Sequence, residues 1–282
     1  MTRKYLTDLR YQVAAIQMVS GASIGPNLLM AKNLIQKAVD QGARLIILPE
    51  NFAYMALESK DIHCVSEVFG NGRIQDWASK ISEELGIWLV AGSVPIQTEP
   101  QSNRVRSACL VFDDQGLIKA RYDKIHLFDV TIFASGERYC ESENVEPGDE
   151  IVVVETPFGK LGLSICYDLR FPELYRKLRE KGAEILLVPS AFTKATGQAH
   201  WKPLLLARAI ENQCVVIAPG QGGVHENKRE TFGHSMIISP WGNIQACLET
   251  AGPGIALAEI DPLQWQILRE DFPVFEHRRI KD

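Results

Sequence analysis

Short apolar runs alternate with longer amphipathic segments along most of this chain. Over residues 27–41 apolar side chains recur at the spacing of one helix face, and the flanking runs at 11–18 and 44–48 have the length of buried strands. The pattern predicts helices at 27–41, 74–85, 172–181, 200–212 and 262–270, a hairpin over 105–122, and strands at 11–18, 44–48, 87–92, 151–155, 161–166, 185–188, 214–218, 235–239, 244–249 and 255–260. Such alternation indicates an α/β fold with mixed sheets, in one domain over residues 1–282.

Two segments of the chain resemble each other. Residues 42–52 (GARLIILPENF) and 182–192 (GAEILLVPSAF) both read Gly-Ala-x, four aliphatic residues and Pro-x-x-Phe. The match reflects either a common helix–Gly–strand connection or two related sheets packed as a sandwich. Ligands in such folds bind beyond the carboxyl ends of strands, where Glu50, Cys166 and Ser190 are expected. Residues 129–150 are polar and punctuated by Pro and Gly, which predicts a loop.

The composition excludes several classes of partner. The 282 residues are 46% hydrophobic and 23% charged, and the net charge of −5 leaves no basic surplus for nucleic acid or acidic membranes. No apolar run approaches the roughly 18 residues of a membrane-spanning helix. The N-terminal stretch lacks the continuous apolar region of a signal peptide, so we expect a cytoplasmic protein.

The six cysteines are scattered and form no C-x-x-C pair, which suits reduced thiols in a cytosol better than a zinc ribbon. The histidines His200, His225 and His234 also lack the spacing of a metal site. There is no G-x-x-x-x-G-K and no strand-linked G-x-G-x-x-G, so nucleotide binding is not indicated. We therefore expect neither a metal nor a cofactor.

Four residues are candidates for chemistry, each with a structural alternative. Cys166 ends a predicted strand just before a helix, where a helix N-terminus favours a thiolate, but buried cysteines also fill cores. Glu50 is either a general base at a strand end or a solvated acid. Lys124 and Glu141 lie in polar segments that suit a site or a surface loop. Ser164 imitates a serine-hydrolase elbow, but the last glycine is absent.

Taken together, four segments resemble the nitrilase, or carbon–nitrogen hydrolase, superfamily. They are residues 47–52 (ILPENF), 122–128 (YDKIHLF), 140–148 (CESENVEPG) and 165–174 (ICYDLRFPEL). The resemblance extends over residues 11–279 and implies a four-layer α-β-β-α sandwich of two mixed sheets. It also implies homodimers or larger homo-oligomers, to which the helix at 172–181 and the tail at about 271–282 contribute contacts.

Within the superfamily, residues 124–130, 233–242 and 273–279 are similar to the branch of deaminated glutathione amidases and omega-amidases. The resemblance implies a small-molecule amide substrate, with deaminated glutathione first and α-ketoglutaramate as the alternative. Residues 131–139 and Gly222 depart from the pattern of the branch. Other amides or carbamoyl compounds, an acyl transferase and a non-catalytic assembly protein are the remaining alternatives. The filled catalytic positions weigh against the assembly protein.

The roles of the site residues follow from the resemblance. Cys166 forms a thioester, Glu50 serves as the base, and Glu141 holds Lys124, which stabilises the oxyanion together with the backbone N–H of Tyr167. A carboxylate of ordinary pKa is a weak base for a thiol, so either an apolar pocket raises the pKa of Glu50 or direct pairing shares the proton. The candidate substrate contacts are Arg170, Phe192 and Thr193. An ion pair of Arg170 with Asp168 or Glu173 is the alternative for that residue.

Overall fold

The fold consists of two six-stranded sheets covered by α-helices. The computed structural model describes residues 10–98, 102–133 and 136–280. Three predictions therefore fall partly outside the described residues. They concern the absence of a signal peptide at the N-terminus, the segment 131–139 that departs from the pattern of the branch, and the tail at about 271–282. The described α-helices are α1 (Ile24–Asp40), α2 (Arg73–Leu85), α3 (Pro172–Glu180), α4 (Lys194–Asn212) and α5 (Pro262–Asp271).

The first sheet contains β1 (Tyr11–Gln17), β2 (Ala43–Ile47), β3 (Trp88–Gln97), β4 (Val105–Phe112), β5 (Ile118–Asp123) and β16 (Gly254–Ile260). Its strand order is β16-β1-β2-β3-β4-β5. The strands β1, β2 and β3 are parallel, and the others pair antiparallel. The crossover helices α1 and α2 pack on one face of this sheet.

The second sheet contains β8 (Val153–Thr156), β9 (Gly159–Leu163), β10 (Ile185–Leu187), β11 (Val215–Ala218), β14 (Met236–Ile238) and β15 (Ile244–Cys247). Its order is β15-β14-β11-β10-β9-β8, with β9, β10 and β11 parallel. The helices α3 and α4 cover it. Two small hairpins complete the strands: β6 (Asp129–Thr131) with β7 (Arg138–Cys140), and β12 (Gly222–Val224) with β13 (Glu230–Phe232).

The two sheets repeat one topology. Each sheet has, from one edge to the other, one antiparallel strand, three parallel strands and two further antiparallel strands. The order β16-β1-β2-β3-β4-β5 thus corresponds to β8-β9-β10-β11-β14-β15. The strands β2 and β10 occupy corresponding places, so the similar segments 42–52 and 182–192 are structurally equivalent. The similarity therefore reflects two related sheets, and the predicted α/β sandwich is confirmed.

Successive side chains of β1 point alternately to the two faces of the first sheet, and each face is part of a separate apolar core. Val13 and Ala15 pack with residues of the second sheet, whereas Ala14 and Ile16 pack with the α1 side, where Ile35 is also buried. Side chains of this kind contribute about 1.5–3 kcal/mol each when fully buried. Because both faces of the first sheet are apolar, the helices and the second sheet cover one face each, which gives the α-β-β-α layers.

Three predicted elements differ from the structure. The helix α4 starts at Lys194 rather than at residue 200, because Thr193 caps it by accepting a hydrogen bond from the Thr196 N–H at 3.4 Å. The predicted loop at 129–150 contains the hairpin of β6 and β7, whose three-residue strands carry no apolar alternation. The strand predicted to end at Cys166 ends at Leu163, and Cys166 begins a short 3-10 helix, Cys166–Arg170.

Candidate active site

One cavity of about 770 Å³ brings the four candidate catalytic side chains together. Glu50 lies beyond β2, Lys124 follows β5, Glu141 follows β7, and Cys166 lies beyond β9. Two of these strands are central and parallel in different sheets, so the site forms where their carboxyl ends meet. The positions are far apart in sequence and meet only through the packing of the two sheets.

Lys124 is held between two carboxylates. Its Nζ donates to Glu50 Oε1 at 2.8 Å and to Glu141 Oε1 and Oε2 at 2.9 and 2.8 Å. Its side chain is 2% exposed, so the three charges form an almost dry cluster. The remaining oxygen of Glu50 accepts from the Ala191 N–H at 2.8 Å, and Glu141 Oε2 accepts from the Phe128 N–H at 2.7 Å. Backbone donors thus orient both carboxylates around the ammonium group.

The electrostatics of this cluster separate the two carboxylates. Burial alone would raise the pKa of Glu50, but the charge and hydrogen bond of Lys124 outweigh it and hold that pKa below its ordinary value. Burial raises the pKa of Glu141, and the negative charge of Glu50 adds to the effect despite Lys124. Burial opposes the charge of Lys124, yet Glu141 and Glu50 hold its pKa well above its ordinary value. Lys124 therefore stays protonated and Glu50 ionised.

Cys166 stands on a sharply turned backbone at the mouth of the cluster. Its φ of 49° is in the left-handed region, which costs a non-glycine residue energy and often marks functional positions. Its N–H donates to Pro189 O at 2.9 Å, while the next N–H, of Tyr167, donates no hydrogen bond within the described chain. A free N–H beside the sulfur is the type of donor that an oxyanion requires.

The surroundings of the Cys166 sulfur favour its protonated form. Burial raises the pKa of the Cys166 thiol well above its ordinary value, and the charge of Glu50 adds to this, against a smaller opposite effect of Lys124. Desolvation and Glu50 act against the thiolate that a helix N-terminus would favour, and the 3-10 helix that begins at Cys166 has only five residues. The lowered pKa of Glu50 likewise favours direct sharing of the thiol proton over a base of raised pKa.

Asp168 joins the nucleophile segment to the lysine segment. It is fully buried, and it accepts hydrogen bonds from the Ile165 N–H at 2.8 Å, the Tyr122 hydroxyl at 2.7 Å and the His126 N–H at 3.0 Å. A further contact joins its Oδ1 to His126 Nδ1 at 2.7 Å. Residues on both sides of Lys124 and of Cys166 therefore share one carboxylate.

The predicted substrate contacts lie on the cavity wall, with different surroundings. Arg170 does not pair with Asp168 or Glu173 in the described chain; its guanidinium lies 5.3 Å from the Phe192 ring centroid and contacts His200 Nδ1 at 3.1 Å. Phe192 thus supports Arg170. Thr193 lines the cavity too, although its hydroxyl is already engaged in capping α4.

The segment that carries Glu50 is fixed from two sides. Gln221 is fully buried and donates from Nε2 to Glu50 O at 3.0 Å and to Ser20 Oγ at 2.8 Å. On the other side Gly92 lets the backbone approach closely, since a Cβ there would stand 2.1 Å from Leu48 O and 2.5 Å from Pro49 O. The carboxylate therefore has little freedom to move away from Lys124.

Sequence reasoning missed two cavity residues, Arg229 and Tyr139. Arg229 Nη2 donates to Ala191 O at 2.6 Å, and its guanidinium lies 5.3 Å from the centroid of the Tyr139 ring. Arg229 belongs to a charged turn between β12 and β13, which reads as a solvated loop in the sequence. Only the three-dimensional pairing of this hairpin brings it to the cavity.

The other sequence candidates have separate structural partners. His225 contacts Ser20 O and Thr231 Oγ1, His234 contacts Phe232 O, and Ser190 Oγ donates to Val188 O. Ser164 is buried against the hydroxyl of Tyr175, away from a nucleophile's position. Among residues 10–98, 102–133 and 136–280, no group of three or more potential metal-ligating side chains is found.

Comparison with known proteins agrees with this fold. The carbon–nitrogen hydrolase family model matches residues 12–270, and the chain belongs to this family. It is a hydrolase that acts on amide carbon–nitrogen bonds, as the superfamily resemblance predicted. Within the described ranges, no helix has both the length and the apolar character needed to cross a membrane.

The relatives share most of their length with this chain. The deaminated glutathione amidase of Dictyostelium discoideum is 42% identical over 99% of this chain and 97% of that protein, and the enzyme of that name from Homo sapiens is 41% identical over 95% and 82%. The solved NitFhit protein of C. elegans has a TM-score of 0.88 at 39% identity, and covers 96% of this chain. This chain spans 65% of that one. Nit3 of Saccharomyces cerevisiae, of nitrilase branch 10, has a TM-score of 0.85 at 29% identity, covering 96% and 97%.

Proposed function

We propose that this enzyme hydrolyses deaminated glutathione through a thioester on Cys166. The observation that carries the proposal is the ammonium group of Lys124, bound between Glu50 and Glu141 in the cavity that also holds Cys166. The relatives named deaminated glutathione amidase, at about 40% identity over nearly the whole chain, support the choice of substrate.

The first step forms the acyl-enzyme. Glu50 accepts the thiol proton while the sulfur of Cys166 attacks the amide carbonyl, so that a free thiolate does not accumulate. The carbonyl oxygen becomes negative as the C–S bond forms, and Lys124 Nζ and the Tyr167 N–H stabilise it. A preorganised donor of this kind lowers the barrier by about 3–4 kcal/mol.

The second half returns the enzyme to its resting state. Glu50 gives its proton to the departing nitrogen as the C–N bond breaks, which releases the amine and leaves the thioester. Glu50 then removes a proton from water, which attacks the thioester and frees the acid while the proton returns to sulfur. Glu141 keeps Lys124 charged and in place throughout.

Arg170 binds the α-keto acid end of the substrate, with Phe192 and Thr193 lining the same wall. This assignment is supported by the absence of any carboxylate paired with Arg170 in the described chain, together with its place on the cavity wall. A substrate carboxylate would supply the missing partner through charge-assisted hydrogen bonds.

The test compares α-ketoglutarate release from deaminated glutathione and from α-ketoglutaramate, with Cys166→Ala as the control. We expect a clear preference for deaminated glutathione and no turnover by the variant. Equal rates on both substrates, or activity on neither, would overturn the substrate assignment. Wild-type rates in Cys166→Ala would overturn the nucleophile.

The chain further acts as one domain that pairs with a second copy through α3 and the tail, in the cytoplasm. The ring of Phe275 lies against Arg179 of α3, and the exposed rings of Trp241 and Phe272 are in contact at 5.9 Å, so this face carries apolar surface. The free thiols suit a reducing compartment. Light scattering tests the dimer: Phe272→Ser is expected to lower the mass, and Leu117→Ser, an exposed leucine in the β4–β5 turn, is the control.

A further inference from the structure

A second guanidinium group in the cavity lacks an acidic partner. Arg229 donates from Nη2 to Ala191 O at 2.6 Å and lies over the ring of Tyr139. Its Nε is buried without a hydrogen-bond partner, and no acidic side chain of the described chain forms an ion pair with it. An arginine presents five donors in a fixed fork that matches a carboxylate. Arg229 uses one of its nitrogens in the hydrogen bond to Ala191 O, which leaves donors for a bound carboxylate.

The position of Arg229 relative to Glu50 is defined by one residue. The N–H of Ala191 donates to Glu50 Oε2, and the carbonyl of the same residue accepts from Arg229. The positive charge of Arg229 is close enough to contribute to the lowered pKa of Glu50. Arg229 therefore lies on the side of the cavity where Glu50 delivers its proton.

Arg170 occupies a different part of the wall. It belongs to the 3-10 helix that begins at Cys166, and it lies over the rings of Tyr167 and Phe192. The cavity thus offers two separate guanidinium groups. The leaving nitrogen must be next to Glu50, since Glu50 protonates it, so a group attached to that nitrogen extends on the side of Arg229.

We propose that Arg229 binds a carboxylate on the leaving group and selects amides whose leaving amine ends in a carboxylate. This inference rests on the proposed function. In deaminated glutathione the leaving amine is a cysteinylglycine dipeptide, whose terminal carboxylate lies at most about 7 Å from the scissile nitrogen. Only the Ala191 backbone lies between Glu50 and the guanidinium, through hydrogen bonds of 2.8 and 2.6 Å, so a leaving group of that length is matched to this wall of the cavity. α-Ketoglutaramate, which releases ammonia, leaves Arg229 without a partner.

The test uses two peptides that differ at one group: deaminated glutathione and its C-terminal carboxamide. For the wild-type enzyme we expect kcat/KM to be about tenfold or more higher for the acid, as one charge-assisted pair implies. In Arg229→Met the ratio falls towards one, and Arg229→Lys restores part of it. Lys228→Met is the matched control, since Lys228 lines the same cavity and the substitution removes one positive charge, as Arg229→Met does.

The ratio itself decides the inference, whatever the absolute rates of the variants. A wild-type ratio near one overturns it while leaving amide hydrolysis intact, and needs no variant. A ratio that survives in Arg229→Met but collapses in Lys228→Met assigns the carboxylate to the other cation and also overturns it. Absence of activity on both peptides overturns the proposed function, so the two failures are distinguishable.

Discussion

The carboxylate of Asp168 lies 2.7 Å from the ring Nδ1 of His126, which joins the segment of Cys166 to the segment of Lys124. The His126 ring is stacked on Phe171 at 3.7 Å between centroids, so the contact is rigid on both sides. Because Asp168 also accepts from Ile165 just before Cys166, it connects the backbone before Cys166 to the backbone after Lys124.

Asp168→Asn tests this connection. The amide NH₂ cannot accept a hydrogen bond, so either the Ile165 N–H or the donors of the His126 side lose a buried acceptor. A buried donor left unsatisfied costs about 1–3 kcal/mol. We expect a lower Tm and a fall in kcat that exceeds the effect on KM, measured by calorimetry and steady-state kinetics.

Asp113→Asn provides the comparison for that variant. Asp113 accepts from the N–H groups of Gln115 and Leu117 in the turn between β4 and β5, away from the site. The substitution lowers Tm but leaves kcat near the wild-type value. If the two variants lost activity in proportion to their loss of stability, Asp168 would have a structural role only.

Glu50→Gln removes the base while keeping the shape of the side chain. Lys124 retains Glu141, so the fold persists, whereas general base catalysis worth about 10²–10⁴-fold is lost. We expect kcat to fall by that factor and alkylation of Cys166 by iodoacetamide to slow, followed by intact mass. Glu83→Gln, at an exposed acid in α2 outside the cavity, is the control. Unchanged alkylation in Glu50→Gln would argue against proton sharing.

Gly92→Ala is expected to displace Glu50 through the backbone that precedes it. The added Cβ meets the carbonyl oxygens of Leu48 and Pro49 at 2.1 and 2.5 Å, so the backbone just before Glu50 must shift. Because misplacement of a catalytic group by about 1 Å costs on the order of 10²-fold, we expect a large loss of kcat/KM. At Gly252 a Cβ meets nothing within 4 Å, so Gly252→Ala should keep wild-type kinetics. Equal kinetics of the two variants would contradict this account.

The apolar pattern was sufficient for the main elements of the fold. Buried parallel strands such as β2 and β10 are short aliphatic runs after glycine, and the repeat between them anticipated two related sheets. The hairpins β6–β7 and β12–β13 were not predictable, since their strands have only three residues each and carry no periodic signal.

The site was accessible from sequence only in part. Glu50, Lys124, Glu141 and Cys166 are each weak candidates alone, and their order matched a family before any distance was known. The protonation of the cluster depends on burial and on distances of about 3 Å across two sheets, which no local pattern encodes. For the same reason Arg229 read as a surface charge.

The charge cluster predicts how stability depends on pH. The depressed pKa of Glu50 contributes stability above its unfolded pKa of about 4.5, which is lost as the pH falls through the folded value. The raised pKa of Lys124 contributes below its unfolded value of about 10.5 and is lost as the pH rises through the folded one. Glu50 and Lys124 therefore stabilise the fold across the neutral range, whereas Glu141, whose pKa is raised, acts in the opposite sense there.

Lys124→Met reverses the direction of the pKa shift of Glu50 and increases the upward shift of Glu141. Without the cation, burial raises the pKa of both Glu50 and Glu141, so folding favours their protonated forms and loses stability as the pH rises. Breaking a buried pair costs about 3–5 kcal/mol when the remaining charge must ionise. We expect the Tm deficit against wild type to be large at pH 7 and to shrink towards pH 4.5, followed by thermal unfolding. Lys80→Met, at an exposed pair with Glu84, should show a small deficit at both values. If the Tm deficit of Lys124→Met were the same at both pH values, or larger in acid, Lys124 would not act by compensating the charges of the two carboxylates.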